Sequence, residues 1–350
     1  MANAFSPSDT RGDIVNADGM TEADLLKTLF GTLPPCGADV LVGVGDDCAV
    51  LRAEGETVQV LTTDALIEGV DFVTGPGFSF EILGHKALAV NLSDIAAMGA
   101  TPRHALVTLC IPERYGRKEM TELYCGLSRL ASRYDVGVIG GDLSSSRNDF
   151  MVSITLLGVA SSSEILLRSG ARPGDVAMLF GRIGDSGAGL DITRGARCPS
   201  EAVLLERHFR PEPLVNEGKW LATRTGNHVH AMIDISDGLA SDARHICEAS
   251  GVGVCIDHAS LPVSDELAEF ARYTGRELDG YLLGAGEDYA LFAAVDASSA
   301  TEIAGRFRGA FPRTPVATVG SFRRGNHVEI RWENGAVSEL AGGFDHFAQQ

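Results

Sequence analysis

The sequence predicts an α/β protein in two parts, the first of them α+β. Three observations predict it. The 350 residues suit one large domain or two ordinary ones. Short apolar runs that end in Gly- and Asp-rich turns alternate with helical stretches in both halves. Composition shifts at Ser161-Ser162-Ser163, and an α/β pattern restarts at Val176. We therefore expect domains at 21–160 and 161–350, with 1–20 a polar, disordered tail.

Composition narrows the function. Hydrophobic residues make up 45% and charged residues 22%, enough for a sizeable core. A formal net charge of −18 argues against nucleic acid, whose phosphates need clustered Lys and Arg. Seven cysteines with no CxxC pair argue against a disulfide framework or zinc site and fit free thiols in a reducing cytoplasm. Met1 to Gly19 lacks the apolar core of a signal peptide, and no stretch approaches the ~20 apolar residues of a membrane span.

In the first half, Thr21 to Phe30 reads as an amphipathic helix with Thr21 as N-cap, ended by Pro34-Pro35-Cys36-Gly37. Val44 to Leu51 and Thr57 to Asp64 read as short strands. Their oxygen-rich turns carry Asp46-Asp47 and Thr62-Thr63-Asp64. Such turns hold hard cations, which take carboxylate, hydroxyl and carbonyl oxygens. Plain Asp-rich surface turns are the competing reading. Phe80 to Gly99 is the clearest helix, with Ala87, Leu88, Val90, Asn91, Ile95 and Met98 on a largely buried face. Asn91 and Asp94 share a face, and an Asp in so apolar a helix needs a partner, either a metal or a hydrogen-bond donor. A strand at 104–111, a helix at 118–134, a strand Val136 to Asp142 with a Gly-Gly-Asp exit and a strand at 150–160 complete this half. The glycines permit close backbone approach to a ligand; a turn aspartate is the plainer account of Asp142.

Arg168 stands just past the boundary, placed to reach an anionic ligand or simply solvated. After the strand Val176 to Phe180, Gly184-Asp185-Ser186-Gly187-Ala188-Gly189 leads into a helix. Free N–H groups there can cradle phosphate, but this is neither a P-loop nor GxGxxG, and a tight structural turn is the simpler reading. Ala231 to Leu239 is an apolar strand ending in Asp234-Ile235-Ser236-Asp237-Gly238, with a helix at 239–250 behind it. Ser236 or Asp237 as N-cap is the alternative for that turn. Gly286-Glu287-Asp288-Tyr289 precedes a strand at 290–295. A helix at 300–309, two strands within 315–332 and the tail Gly342 to Phe347 close the chain.

Asp47, Asp64, Asp94, Asp142, Asp234 and Asp237 cannot converge without compensating positive charge. Several Mg²⁺ ions bound with polyphosphate would supply it, because Mg²⁺ typically uses one or two carboxylates plus substrate phosphates. Phosphoryl transfer needs this positioning and neutralisation more than covalent catalysis.

The motifs GVGDDCAVL (43–51), TTDALIEGV (62–70), KALAVNLSDIAAMGA (86–100), GGD (140–142), RSGARPGD (168–175), GDSGAGL (184–190), DISDGLASD (234–242), GEDY (286–289) and GFDHF (343–347) span nearly all the chain after residue 20. With them the chain resembles the thiamine-monophosphate kinases, of the superfamily that includes aminoimidazole ribonucleotide synthetase. The resemblance implies a two-domain fold whose N-terminal sheets pair into a barrel across a homodimer. It implies in-line transfer of the γ-phosphate of ATP to thiamine monophosphate, with no phospho-enzyme. By motif, Asp47, Thr62, Thr63, Asp64, Asp94, Asp142, Asp234 and Asp237 would be magnesium ligands. Tyr124, Gly141, Arg168 and Ser236 would contact ATP, and Glu287 and Phe344 the thiamine moiety. Many members of the family carry His where this chain has Asp71. The resemblance puts that position at the thiamine monophosphate site; an ionised Asp accepts hydrogen bonds only and would repel a phosphate, so Asp71 is expected near the cationic ring of the substrate, with a solvent-facing Asp71 as the alternative.

Other readings are a different ATP-using enzyme of the superfamily or a non-catalytic nucleotide-binding scaffold. A selenophosphate synthetase would need a reactive Cys or selenocysteine near the N-terminus, and Met1 to Thr32 holds no Cys. The hydrogenase-maturation relative would need a C-terminal Cys, where this chain has Phe347-Ala348-Gln349-Gln350.

Overall fold

The computed structural model describes residues 22–340 except Pro76. The N-terminal tail, the Thr21 cap, Phe344 and the GFDHF motif lie outside the described residues.

Helix α1 (Glu22–Phe30) leads into β1 (Val40–Val42), β2 (Ala49–Arg52) and β3 (Thr57–Ile67). Helix α2 (Phe80–Ala97), β4 (Thr101–Pro112), α3 (Arg117–Arg133), β5 (Gly137–Ser146) and β6 (Met151–Ser161) follow. The six strands form one sheet in the order β1-β2-β3-β6-β4-β5. Side chains alternate across its faces. Val58, Val60 and Leu66 of β3, Ala105, Val107 and Leu109 of β4, and Val152, Ile154 and Leu156 of β6 are buried beneath α2. The opposite face is open, and β5 is exposed along most of its length.

Helix α2 starts where Ser79 Oγ accepts from the Ile82 N–H at 3.2 Å. It is buried on nearly all sides because it lies between the first sheet, α3 and the second half of the chain. Its crossing with α3 depends on two glycines. A Cβ on Gly84 would stand 1.9 Å from the Leu123 carbonyl oxygen, and one on Gly126 1.8 Å from that of Glu81. The amphipathic α3 turns Leu123, Leu127 and Leu130 inward, and Glu119 accepts from the Gly116 N–H at 2.8 Å at its start.

The second half contains β7 (Val176–Phe180), α4 (Asp185–Thr193), α5 (Glu201–Phe209), α6 (Val215–Arg224), β8 (Val229–Asp234), α7 (Leu239–Ser250) and β9 (Gly253–Asp257). It continues with α8 (Asp265–Thr274), α9 (Asp279–Gly284), β10 (Leu291–Val295), α10 (Ala300–Ala310), β11 (Val316–Arg323), β12 (Val328–Arg331) and β13 (Val337–Glu339). Its sheet has seven strands in the order β13-β12-β9-β11-β7-β10-β8. Only β9 and β12 pair in parallel there, so the restarted α/β pattern builds a largely antiparallel sheet. β10 is buried throughout, which explains its unbroken apolar run. Its residues serve two cores. Leu291, Ala293 and Val295 join α2 in a core that runs through both halves, while Phe292 and Ala294 pack with α7 and α8. Among the described residues both sheets are open and no barrel closes.

Candidate functional site

The ends of β8 and α2 and the loop before β2 meet at the junction of the two halves. Asp47, Asp94 and Asp234 each place a carboxylate oxygen within 4.8 Å of the other two. Thr62 Oγ1 donates to Asp94 Oδ2, and Ser93 Oγ donates to Asp234 Oδ2 at 2.5 Å. Arg168 is partly buried and ion-paired rather than free on the surface. Its Nη2 and Nε donate to Asp47 Oδ1 at 2.7 and 3.1 Å, and its backbone N–H reaches Asp46 Oδ2 at 3.1 Å.

The carboxylates outnumber the one guanidinium described among them, that of Arg168. Burial, then the neighbouring Asp47 charge, pushes the Asp234 carboxyl up to about 7. Burial and then Asp47 likewise raise Asp46 to about 6. Asp94 is held well above the usual carboxylate range by burial and then by Asp64, Asp234 and Asp47. Burial raises Asp64 as well. Asp47 Oδ2, Asp64 Oδ2 and Asn91 Oδ1 are buried without a hydrogen-bond partner. Orphaned carboxylate oxygens among like charges fit a hard divalent cation such as Mg²⁺.

Asp64 lies close enough for its charge to raise Asp94, but β3 runs on to Ile67, so it stands within the strand and not at its end. Thr62 and Thr63 cannot face the same way on an extended strand. Thr62 turns inward to Asp94, whereas Thr63 Oγ1 lies 3.1 Å from Thr155 Oγ1 in an exposed pair. Asp142 is exposed in the middle of β5, in register with Thr108, not at a strand exit. Gly141 has a steric reason to be glycine: a Cβ there would stand 1.8 Å from the Val107 carbonyl oxygen. Tyr124 is exposed on α3 beside Arg117, Thr121 and Ser128.

Asp237 joins a separate group with Asp242 and His245. Neither Ser236 nor Asp237 caps α7 with its side chain; Gly238 stands at the N-cap, and Asp242 Oδ2 accepts from the Asp237 N–H at 3.2 Å. The Gly184 turn is structural: its N–H and that of Ser186 are taken by the Asp288 carboxylate at 2.5 and 3.0 Å. Asp71 Oδ2 accepts from the Ile67 N–H at 2.7 Å, and its charge raises Asp64. The loop carrying it is held by Glu68, which accepts from Tyr115 Oη at 2.7 Å and the Phe150 N–H at 3.0 Å.

Ser93, Lys86 and His208 are residues of this region to which the sequence reading gave no role, whereas Asp46 was read with Asp47 as an oxygen-rich turn. Ser93 sits beside Asp94 in the same apolar helix. Lys86 and His208 gave no local signal, because Glu287, which approaches both, lies far along the chain.

Comparisons with known proteins show the family. The AIR synthase related protein N-terminal domain matches residues 45–160, and the C-terminal domain of that family matches residues 172–333. A thiamine-monophosphate kinase of Rhodopirellula baltica is 37% identical over 80% of this chain and 83% of its own length. The thiamine-monophosphate kinase of Escherichia coli K12 is 33% identical over 93% of this chain and 98% of its own. The solved structure of AaThiL complexed with AMPPCP and TMP superposes with a TM-score of 0.79 at 29% identity, covering 96% of this chain and all of that one. The chain belongs to the thiamine-monophosphate kinases, within the AIR synthase related family.

Proposed function

We propose that the protein transfers the γ-phosphate of ATP directly to the phosphate of thiamine monophosphate, giving thiamine diphosphate, with Mg²⁺ as cofactor. The observation that carries this reading is the cluster of Asp47, Asp94 and Asp234 at the junction of the two halves, with Asp47 Oδ2 and the nearby Asp64 Oδ2 buried and without a hydrogen-bond partner. Family membership and the AMPPCP and TMP complex of AaThiL support the choice of substrates.

Asp47, Asp64, Asp94 and Asp234 would hold Mg²⁺ at the junction, with Thr62 hydroxyl-bonded to one of them. Magnesium bound there supplies charge neutralisation to donor and acceptor phosphates. Thr63, Asp142 and Asp237 stand apart from the trio, which fits several ions rather than one. Ser93 and Thr62 orient the carboxylates of Asp234 and Asp94, and Arg168 anchors Asp47. Tyr124, Gly141, Arg168 and Ser236 are assigned to ATP, and Asp71, Glu287 and Phe344 to thiamine monophosphate. The acceptor is a phosphate monoester with a charge of about −1.5 to −2 at pH 7, so its attacking oxygen needs no strong general base.

The open outer face of the first sheet supports a homodimer. Val138, Ile139 and Leu143 are exposed along β5, and Leu106 is exposed on β4. Exposed edge strands of this kind are ordinarily covered.

The test is to incubate the purified protein with ATP, Mg²⁺ and thiamine monophosphate and to resolve the products by chromatography. Thiamine diphosphate and ADP in equal amounts are expected. ATP binding without turnover would favour a scaffold, and turnover only with another acceptor would favour a different enzyme of the superfamily.

A further inference from the structure

Lys86 and Glu287 meet across the two halves, outside the aspartate trio. Lys86 lies on α2, eight residues before Asp94 and so ~12 Å from it along the helix axis. It is 3% exposed, and its Nζ stands 2.6 Å from Glu287 Oε1. A lysine so buried needs a charge partner.

Glu287 is fixed from its own half as well. Its φ is +64°, a left-handed conformation uncommon outside glycine, and Tyr289 follows at +53°. Such backbone persists where its surroundings over-determine it. Here the Glu287 N–H donates to the Ser236 carbonyl and the Tyr289 N–H to that of Ile235, both at 2.8 Å. Asp288 between them holds the Gly184 turn. The other Glu287 oxygen, Oε2, lies 3.6 Å from His208 Nδ1, which also lies 3.0 Å from Ser186 Oγ. Burial, then the Lys86 charge, lowers His208 to about 4, so at neutral pH the imidazole is uncharged and Lys86 is a cation that faces Glu287 directly.

We propose that Lys86 is a positioning residue for the acceptor: it fixes the Glu287 carboxylate, and so the contact that Glu287 makes with the cationic thiamine moiety. The inference rests on the assignment of Glu287 to that substrate. Without Lys86 the Glu287 side chain regains rotamer freedom, and ordering it again weakens acceptor binding. ATP, assigned to other residues, is unaffected.

Lys86→Met, Lys86→Arg, Glu287→Gln and the double variant Lys86→Met/Glu287→Gln test this by steady-state kinetics, with thermal melts as the check on folding. Loss of one charge-assisted contact predicts that Lys86→Met raises the KM for thiamine monophosphate about tenfold. The ATP KM should stay within about twofold, and Lys86→Arg should recover part of the loss. The double variant should resemble Glu287→Gln alone, since Lys86 acts through Glu287. It also removes both charges, which keeps the test available if Lys86→Met folds poorly. Multiplying effects in the double variant, equal rises in both KM values, or an unchanged acceptor KM in folded Lys86→Met would overturn the proposal. Absence of thiamine diphosphate formation by the wild type would instead sink the functional reading on which it rests.

Discussion

At the residue scale, Asp47, Asp94 and Asp234 crowd like charges whose carboxyls burial and mutual repulsion push upward. On the magnesium reading proposed above, Asp94→Asn or Asp234→Asn would remove a ligand while nearly preserving shape, and should lower turnover at least a hundredfold, measured with saturating ATP, Mg²⁺ and acceptor. The pH dependence has a definite sign. Asp234 titrates near 7 in the fold against 3.8 ordinarily. Its contribution to stability is therefore present below pH ~4 and lost as pH rises through 7. Mg²⁺ needs the ionised carboxylates, so it should raise the Tm more at pH 8 than at pH 5.5. His208 and His245, both lowered to about 4, act oppositely and weaken the fold as pH falls from 6.5 toward 4. Comparing melts with and without Mg²⁺ at each pH isolates the carboxylates. A smaller Mg²⁺ effect at pH 8 would contradict the metal assignment. Asp71 is the other informative residue. Asn can still accept from the Ile67 N–H, so Asp71→Asn alters charge more than loop shape. It should raise the KM for thiamine monophosphate and leave that for ATP unchanged. A lowered acceptor KM would make Asp71 a repulsive neighbour of the substrate phosphate.

At the scale of elements, α2 matters most, because it carries Lys86, Ser93 and Asp94 and packs against both halves. Its seat on α3 is set by Gly84 and Gly126. Gly126→Ala should destabilise the protein by roughly 1–3 kcal/mol through overpacking, seen as a lower denaturation midpoint; an unchanged midpoint would mean the helices separate freely. This helix was legible from the apolar residues of its largely buried face, and Asp94 stood out within it because an Asp in so apolar a run needs a partner. β10 was legible from its unbroken apolar run. β5 was only half legible. Leu143-Ser144-Ser145-Ser146 resembles a loop, yet backbone pairing with β4 carries the strand through it. Its register with β4 places Asp142 in mid-strand. The short helices α5, α6, α8 and α9 were not separated by the sequence reading. Thr63 shows the limit for side chains: motif adjacency to Thr62 hides the alternation that turns it to the other face.

At the scale of the molecule, the two halves share one core, and the trio and the Lys86–Glu287 pair both sit where they join. That convergence was only partly readable. The acidic residues announced themselves one by one, but which of them meet depends on contacts between distant stretches of chain. The open first sheet predicts self-association through its outer face. Sedimentation at micromolar concentration should give about twice 36.9 kDa, and a Leu143→Lys variant should shift it toward monomer. A monomeric wild type would leave that face unexplained.

The most direct test of the central claim follows γ-labelled ATP into product in the presence of Mg²⁺, with and without EDTA, in the wild type and in Asp234→Asn. The account predicts label in the terminal phosphate of thiamine diphosphate for the wild type, none after chelation, recovery on adding Mg²⁺, and at most a trace in the variant. Undiminished label in EDTA, or in Asp234→Asn, would contradict it.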